Sequence, residues 1–148
     1  MTIGGLGVVL GLALSANADA AEQKLVNYTI SKGAIATSLT GKPGDAAKGR
    51  ELAIDRKKGN CLACHVMPIP EQPFHGEIGP DLNGVAGRLT EGEIRLRIVD
   101  PKNFNRDTIM PAFYKNTGFT RALKKFKGKP MLSAAQIEDL VAYTMTLK

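Results

Sequence analysis

Cys61 and Cys64 are the only cysteines among 148 residues, and His65 follows the second directly, in the stretch GNCLACHVMP. Two thiols and an imidazole at this spacing admit four chemistries. A structural zinc site needs four ligands, and the remaining donor would be His75, which lies in a loop without a second ligand pair at finger-like spacing. A thioredoxin-like redox pair needs a βαβ surround that the chain lacks. A disulfide across two intervening residues closes too small a loop to add much stability. The fourth chemistry uses every residue: in C-x-x-C-H each thiol adds across one vinyl group of a haem, and the histidine turns its imidazole onto the iron. Cys61 and Cys64 are then covalent anchors of a single haem c, and His65 is its first axial ligand.

A sixth ligand must come from the opposite face of the ring. Met67 is too close in sequence to His65 to cross over, Met145 falls inside a helical segment as core methionines do, and Met131 precedes a helix cap. Met110, in TIMPAF, is the best candidate, because Pro111 keeps it extended and the intervening chain is long enough to pass round the macrocycle. His75 comes next, for a bis-histidine site. The other ring nitrogen of His65 needs an acceptor to orient it. The carbonyl of Pro80 in EIGPDL is suited to that, and Asn83, Arg88 and Tyr114 are polar candidates for the propionates or the ring edge.

These residues need a frame. Asp45 is placed to cap a helix over AAKGRELAIDRKKGN that stops at Gly59, just before the cysteines. The next stretch, VMPIPEQPFHGEIGPDLNGVAGR, is dense in Pro and Gly and reads as a long loop wrapped around something. Thr90 and Glu93 form a capping box for a short helix with Ile94 and Ile98 on one face, ended by Asp100-Pro101. Residues 103–130 read as loop, with a turn or two of basic helix in TRALKKFK. Ser133 and Gln136 cap the clearest helix, stapled by Leu132 and Ile137, with Ile137, Leu140, Val141 and Thr144 on one face. There is no alternating strand pattern, so the class is mainly α with long loops.

The first twenty residues, MTIGGLGVVLGLALSANADA, read as an export signal with cleavage near Ala18 or Ala20. The apolar run is too short and glycine-rich for stable membrane insertion. No Lys or Arg precedes Lys24, so the true start can lie upstream. Residues 21–44 form an irregular N-terminal arm with turn signals at Ser31-Lys32-Gly33 and Gly41-Lys42-Pro43-Gly44, and residues 45–148 form one domain. The net charge of +6 gains one unit if Asp19 is also removed. Lys124, Lys125, Lys127 and Lys129 crowd one segment, but no recognition motif accompanies them and nucleic acid is not an expected partner.

The helix before CxxCH, the GP turn, the methionine and the terminal helix resemble class I cytochromes c, with Gly49 and Tyr143 similar to the small residue and the aromatic where the first and last helices cross. The resemblance is closer still to the monohaem subunit of the thiosulfate-oxidising Sox cytochrome complex, the SoxX family. It is carried by AIATSLTGKPGDAAKGR, GNCLACH, PFHGEIGPDLNGVAGRLTEGEIRLRIVDP, DTIMPAFY and AQIEDLVAYTMTL, and covers most of the chain from Gly33 onward. It implies a class I cytochrome c-like fold and a periplasmic electron-transfer subunit paired with a SoxA-like cytochrome. It also implies that thiosulfate is coupled oxidatively to a cysteine of a carrier protein, that the reacting site belongs to the partner, and that electrons leave to a soluble acceptor. The rivals are a free-standing electron shuttle for an oxidase or dehydrogenase, and a haem protein that binds gases at an open distal position.

Overall fold

Asp45 adopts extended backbone and its carboxylate accepts from the amides of Ala47 and Lys48, which satisfies the free N–H groups at a helix start. Helix α1 (Ala46–Ile54) follows, and the computed structural model, which describes residues 25–148, contains two more: α2 (Glu91–Val99) and α3 (Ala134–Thr144). The expected signal peptide and its cleavage sites lie outside the described residues. Short 3₁₀ turns occur at Cys61–Ala63, Val85–Gly87, Pro101–Asn103 and Lys124–Phe126, and among the described residues β-pairing is limited to one isolated bridge, Ser31 with Ala34. No helix among them is long and apolar enough to cross a membrane.

Both expected capping boxes form. Thr90 accepts from the Glu93 amide while Glu93 reaches back to the Thr90 amide, and Ser133 and Gln136 do the same for α3. Ile137, Leu140, Val141 and Thr144 are buried along one face of α3, with Leu132 beside them. Helix α1 ends at Ile54 rather than continuing to Gly59. Asp55 leaves helical geometry and its side chain accepts from the Lys57 amide, starting a turn that the sequence pattern alone does not distinguish from helix. The basic segment forms a single 3₁₀ turn, the shorter of the two expected lengths and 3₁₀ rather than α.

The helix frame rests on close backbone approach. A Cβ on Gly49 would lie 1.9 Å from the Asp139 carbonyl oxygen and 2.8 Å from Cβ of Tyr143, so only glycine lets α1 cross α3 here. A Cβ on Gly44 would meet the Glu138 carbonyl at 2.1 Å. The Asp45 amide donates to the Asp139 carboxylate at 2.7 Å, tying the start of α1 to the same turn of α3.

Helix α2 is buried nearly all round, and it brings a charge inside: Arg95 is 0% exposed. Its Nε donates to Glu138 Oε1 at 2.9 Å and its Nη2 to Glu138 Oε2 at 2.9 Å, a forked pair, while Nη1 donates to the Ile35 carbonyl at 2.8 Å and Nη2 also reaches Glu91. Glu138 Oε1 accepts in addition from the Leu39 amide at 2.8 Å. Burial works against the guanidinium charge, but the bonds and charge of Glu138, then of Glu91, outweigh it and hold Arg95 above the ordinary arginine value. The arm is locked to the domain through this pair, through the bond from the Ile35 amide to the Gly92 carbonyl, and through the burial of Ile35 and Leu39.

Glu138→Ala should destabilise the haem-loaded protein by about 3–5 kcal/mol, because it leaves Arg95 charged and unpaired in the interior. A shift in the denaturant midpoint worth less than about 1 kcal/mol would contradict the pairing described. Acid should act through the caps. The Asp45 carboxyl is held low chiefly by the Lys48 amide, and the Glu93 carboxyl chiefly by the Thr90 amide. A carboxylate with a lowered folded pKa stabilises fully above its unfolded value, near pH 4, and loses that contribution as pH falls through the folded value. Glu93→Gln should therefore lower stability at neutral pH, flatten the fall on the acid side of about pH 4 and converge on the parent once Glu93 is protonated, measured by denaturant titration across the range.

Candidate haem site

Asn60 takes a left-handed conformation (φ 49°) and turns the chain into the single 3₁₀ turn Cys61–Ala63. The amides of Cys64 and His65 both donate to the Cys61 carbonyl, at 3.1 and 2.9 Å, so the two cysteines and the histidine share one rigid turn. Both cysteines are free and half-buried. The Cys61 thiol is pushed up to about 11 chiefly by burial, so it is a neutral thiol at pH 7 before any cofactor is attached. Among the described residues there is no cluster of three or more His, Cys, Asp or Glu placed to hold a metal ion.

His65 Nδ1 lies 2.7 Å from the Pro80 carbonyl oxygen. A carbonyl only accepts, so the proton sits on Nδ1 and the Nε2 lone pair is left available for iron. Two glycines make this contact geometrically feasible. A Cβ on Gly79 would lie 2.5 Å from Cε1 and 2.7 Å from Nδ1 of the imidazole, so the Gly79 backbone lies against the ring. A Cβ on Gly76 would meet the Ala63 carbonyl at 2.1 Å. The Gly76 amide donates to the Leu62 carbonyl at 2.7 Å, that of Gly79 to Cys64 at 2.8 Å and that of Leu82 to Val66 at 3.0 Å, lacing residues 76–82 along the turn that bears the histidine.

The remaining sequence candidates divide clearly. Met67 is core, at 4% exposure, and its amide donates to His75 Nδ1 at 3.3 Å. His75 is thereby held beside the backbone two residues after His65. Met131 and Met145 are half-buried against the core, and so is Met110, on the separate loop between α2 and the buried pair Phe113 and Tyr114. Arg88 donates to the carbonyls of Asn83 and Asp81 at 2.7 and 2.9 Å, the Asn83 side chain bonds Asp81, and the Tyr114 hydroxyl accepts from the Val26 amide at 2.9 Å. These three side chains thus hold loop and arm geometry.

The residues fit a haem. One turn presents two thiols and a correctly protonated imidazole, and the flanking loops expose large apolar side chains: Phe74 and Ile78 in the loop packed on His65, and Ile109 next to Met110 in the chain. Such side chains suit the faces and edges of a porphyrin. Missed by sequence reasoning were the close-approach roles of Gly76 and Gly79; the H-G-E-I-G-P spacing hints at a tight turn but not at what it packs against.

The cytochrome c family model matches residues 46–148. The chain belongs to the cytochrome c family, whose members carry covalently attached haem c. Comparison with curated proteins finds no match. Among solved structures it is similar to SoxXA from P. pantotrophus, with 40% sequence identity, a TM-score of 0.75, and coverage of 82% of this chain and 94% of that one. It is a SoxX-like c-type cytochrome, and its mainly helical fold is the one expected from the sequence.

Gly79→Ala should force the His65 ring away from the Pro80 carbonyl and broaden or shift the haem absorption of the purified protein. An unaltered ferric and ferrous spectrum would show that the backbone at Gly79 does not pin the ring.

Proposed function

We propose that Cys61 and Cys64 hold one haem c as thioethers, that His65 Nε2 and the Met110 sulfur are its axial ligands, and that the chain is the electron-accepting subunit of a heterodimer with a SoxA-like cytochrome. The observation that carries the function is the 40% identity to SoxXA across 94% of the matched chain. That similarity favours a Sox subunit over a free-standing shuttle. The ligand assignment is supported by the Nδ1–H bond from His65 to Pro80, and by Met110 lying half-buried on a second loop, with Ile109 exposed next to it in the chain.

When bound, the haem supplies a one-electron store, and a thioether ligand favours the ferrous state and raises the potential, which suits an acceptor. The protein's part is to orient His65 through Pro80 and Gly79 and to hold Met110 at a fixed position. Once both thiols are thioethers no nucleophilic cysteine remains, since the chain has only two. Coupling a carrier thiol to thiosulfate forms one S–S bond and releases a proton and two electrons. The bond-forming site therefore belongs to the partner, and this chain accepts the electrons one at a time and passes them to a soluble acceptor. With residues 1–20 as an export signal, the compartment is the periplasm, where the carrier protein and the acceptor would be met.

Two measurements test this reading. The exported protein should purify as a 1:1 complex with a SoxA-like cytochrome; recovery only as a monomer in the presence of that partner would sink the subunit role. The ferrous protein should resist carbon monoxide, and Met110→Ala should both admit it and abolish the sulfur-to-iron charge-transfer absorption of the ferric form. Ready binding of carbon monoxide by the unmodified protein would favour the gas-binding rival.

A further inference from the structure

Met110 hangs on a loop whose two ends are firmly tied. The Phe113 amide donates to the Ile98 carbonyl at 3.1 Å and the Tyr114 amide to the Val99 carbonyl at 3.2 Å, while Lys115 pairs with Asp100 Oδ2 at 2.8 Å. Pro101 is buried at the base of the loop, and the amides of Phe104 and Asn105 both fold back onto its carbonyl. Between these ties the loop interior has no helix or strand to hold it. The carbonyls of Arg106 and Thr108 accept from no backbone amide among the described residues. One side chain serves both: Lys102 Nζ donates to the Arg106 carbonyl at 2.9 Å and to the Thr108 carbonyl at 3.0 Å. Thr108 then passes the restraint on, because its hydroxyl accepts from the Met110 amide at 3.2 Å.

We propose that Lys102 is a positioning residue for the sixth ligand, acting through Thr108 to hold the Met110 backbone. This rests on the assignment of Met110 as axial ligand. Bonds from an ammonium are stronger than neutral ones, and two carbonyls converging on one ammonium resist unwinding of the segment between them. Lys102 stands on the short 3₁₀ turn anchored by buried Pro101, so the donor itself is fixed relative to α2. Removing it leaves the loop ends intact, and the bonds that Asn105 receives from the Asp107 and Thr108 amides, and loosens only the stretch that carries the ligand. The thioether should then leave the iron more often without any change in the global fold.

The test uses the haem-loaded protein and the rate at which imidazole displaces the sulfur ligand in the ferric form. Lys102→Met and Thr108→Val should each speed displacement, by about tenfold for Lys102→Met, where charge-assisted bonds are lost. Lys102→Arg, which keeps donors and charge, should recover much of the original rate. The denaturant midpoint followed by helical circular dichroism should stay in place for all three. Thr108→Val leaves the charge unchanged, so acceleration there separates positioning from loss of a positive charge. Displacement rates equal to the parent's in both Lys102→Met and Thr108→Val would overturn the role of Lys102. Met110→Ala is run alongside. If it abolishes the charge-transfer absorption while those rates are unchanged, the ligand stands and the positioning role falls; if the absorption survives, the axial assignment fails and this proposal with it.

Discussion

A guanidinium in a dry interior has to be answered on every side, and the answer given to Arg95 organises the molecule. Glu138 meets it with both oxygens, the Ile35 carbonyl takes a third donor, and Glu138 accepts in turn from the Leu39 amide. Three segments far apart in sequence, the arm, α2 and α3, therefore meet at one pair of charges. Replacing such a pair by apolar residues can be neutral, so its worth lies less in net stability than in what it forbids. Any packing that moves α2 along α3, or lifts the arm, strands a buried charge. The same turn of α3 presents the Glu138 and Asp139 carbonyls to Gly44 and Gly49 and the Asp139 carboxylate to the Asp45 amide. Two consecutive residues thus fix both helices and the arm around themselves.

The loops that carry the site hang from this frame. The turn bearing Cys61, Cys64 and His65 leaves the end of α1, where Gly59 packs on the Leu52 carbonyl, and the Ala86 amide binds the Leu147 carbonyl just beyond α3. The Met110 loop leaves the end of α2 and returns to it at Phe113, whose own carbonyl accepts from the Leu132 amide before α3. Each loop is thus tied at both ends to the helix frame. That arrangement explains how segments with almost no regular structure can hold groups in place: their ends are fixed by the core, and their interiors by side chain and backbone bonds.

What the sequence made legible was local. Capping boxes are read within four residues, the face of α3 within eleven, and C-x-x-C-H within five, and all of these appear in the structure. The less legible features depend on partners distant in sequence. Arg95 and Glu138 are charged residues in amphipathic segments and look like solvated positions until the fold places them opposite each other. Gly49 was readable as the small residue of a helix crossing through the family resemblance, but Gly44, Gly76 and Gly79 look like ordinary turn residues, and the decisive fact is a distant backbone against the first two and the His65 ring against the third. The end of α1 at Ile54 was obscured for a different reason: Asp55 can be read as helix or as the start of a turn, and only the chain returning over Leu52 decides between them.

The two sides of the site are held by unequal means, and the inequality bears on function. His65 sits inside a rigid turn, with the Gly79 backbone against its ring and the Pro80 carbonyl on its nitrogen, so moving it means opening several backbone bonds together. Met110 is reached through an exposed lysine, a threonine hydroxyl and one amide, and local opening there exposes little core. An electron acceptor loses least when its coordination is the same in both oxidation states, because any ligand movement must accompany each transfer. The histidine side meets that requirement through packing and a laced set of backbone bonds. With Met110 as the proposed sixth ligand, its side depends on a handful of polar bonds, and the constancy of the centre is then set by the loop of Met110 and by the residues that keep that loop closed.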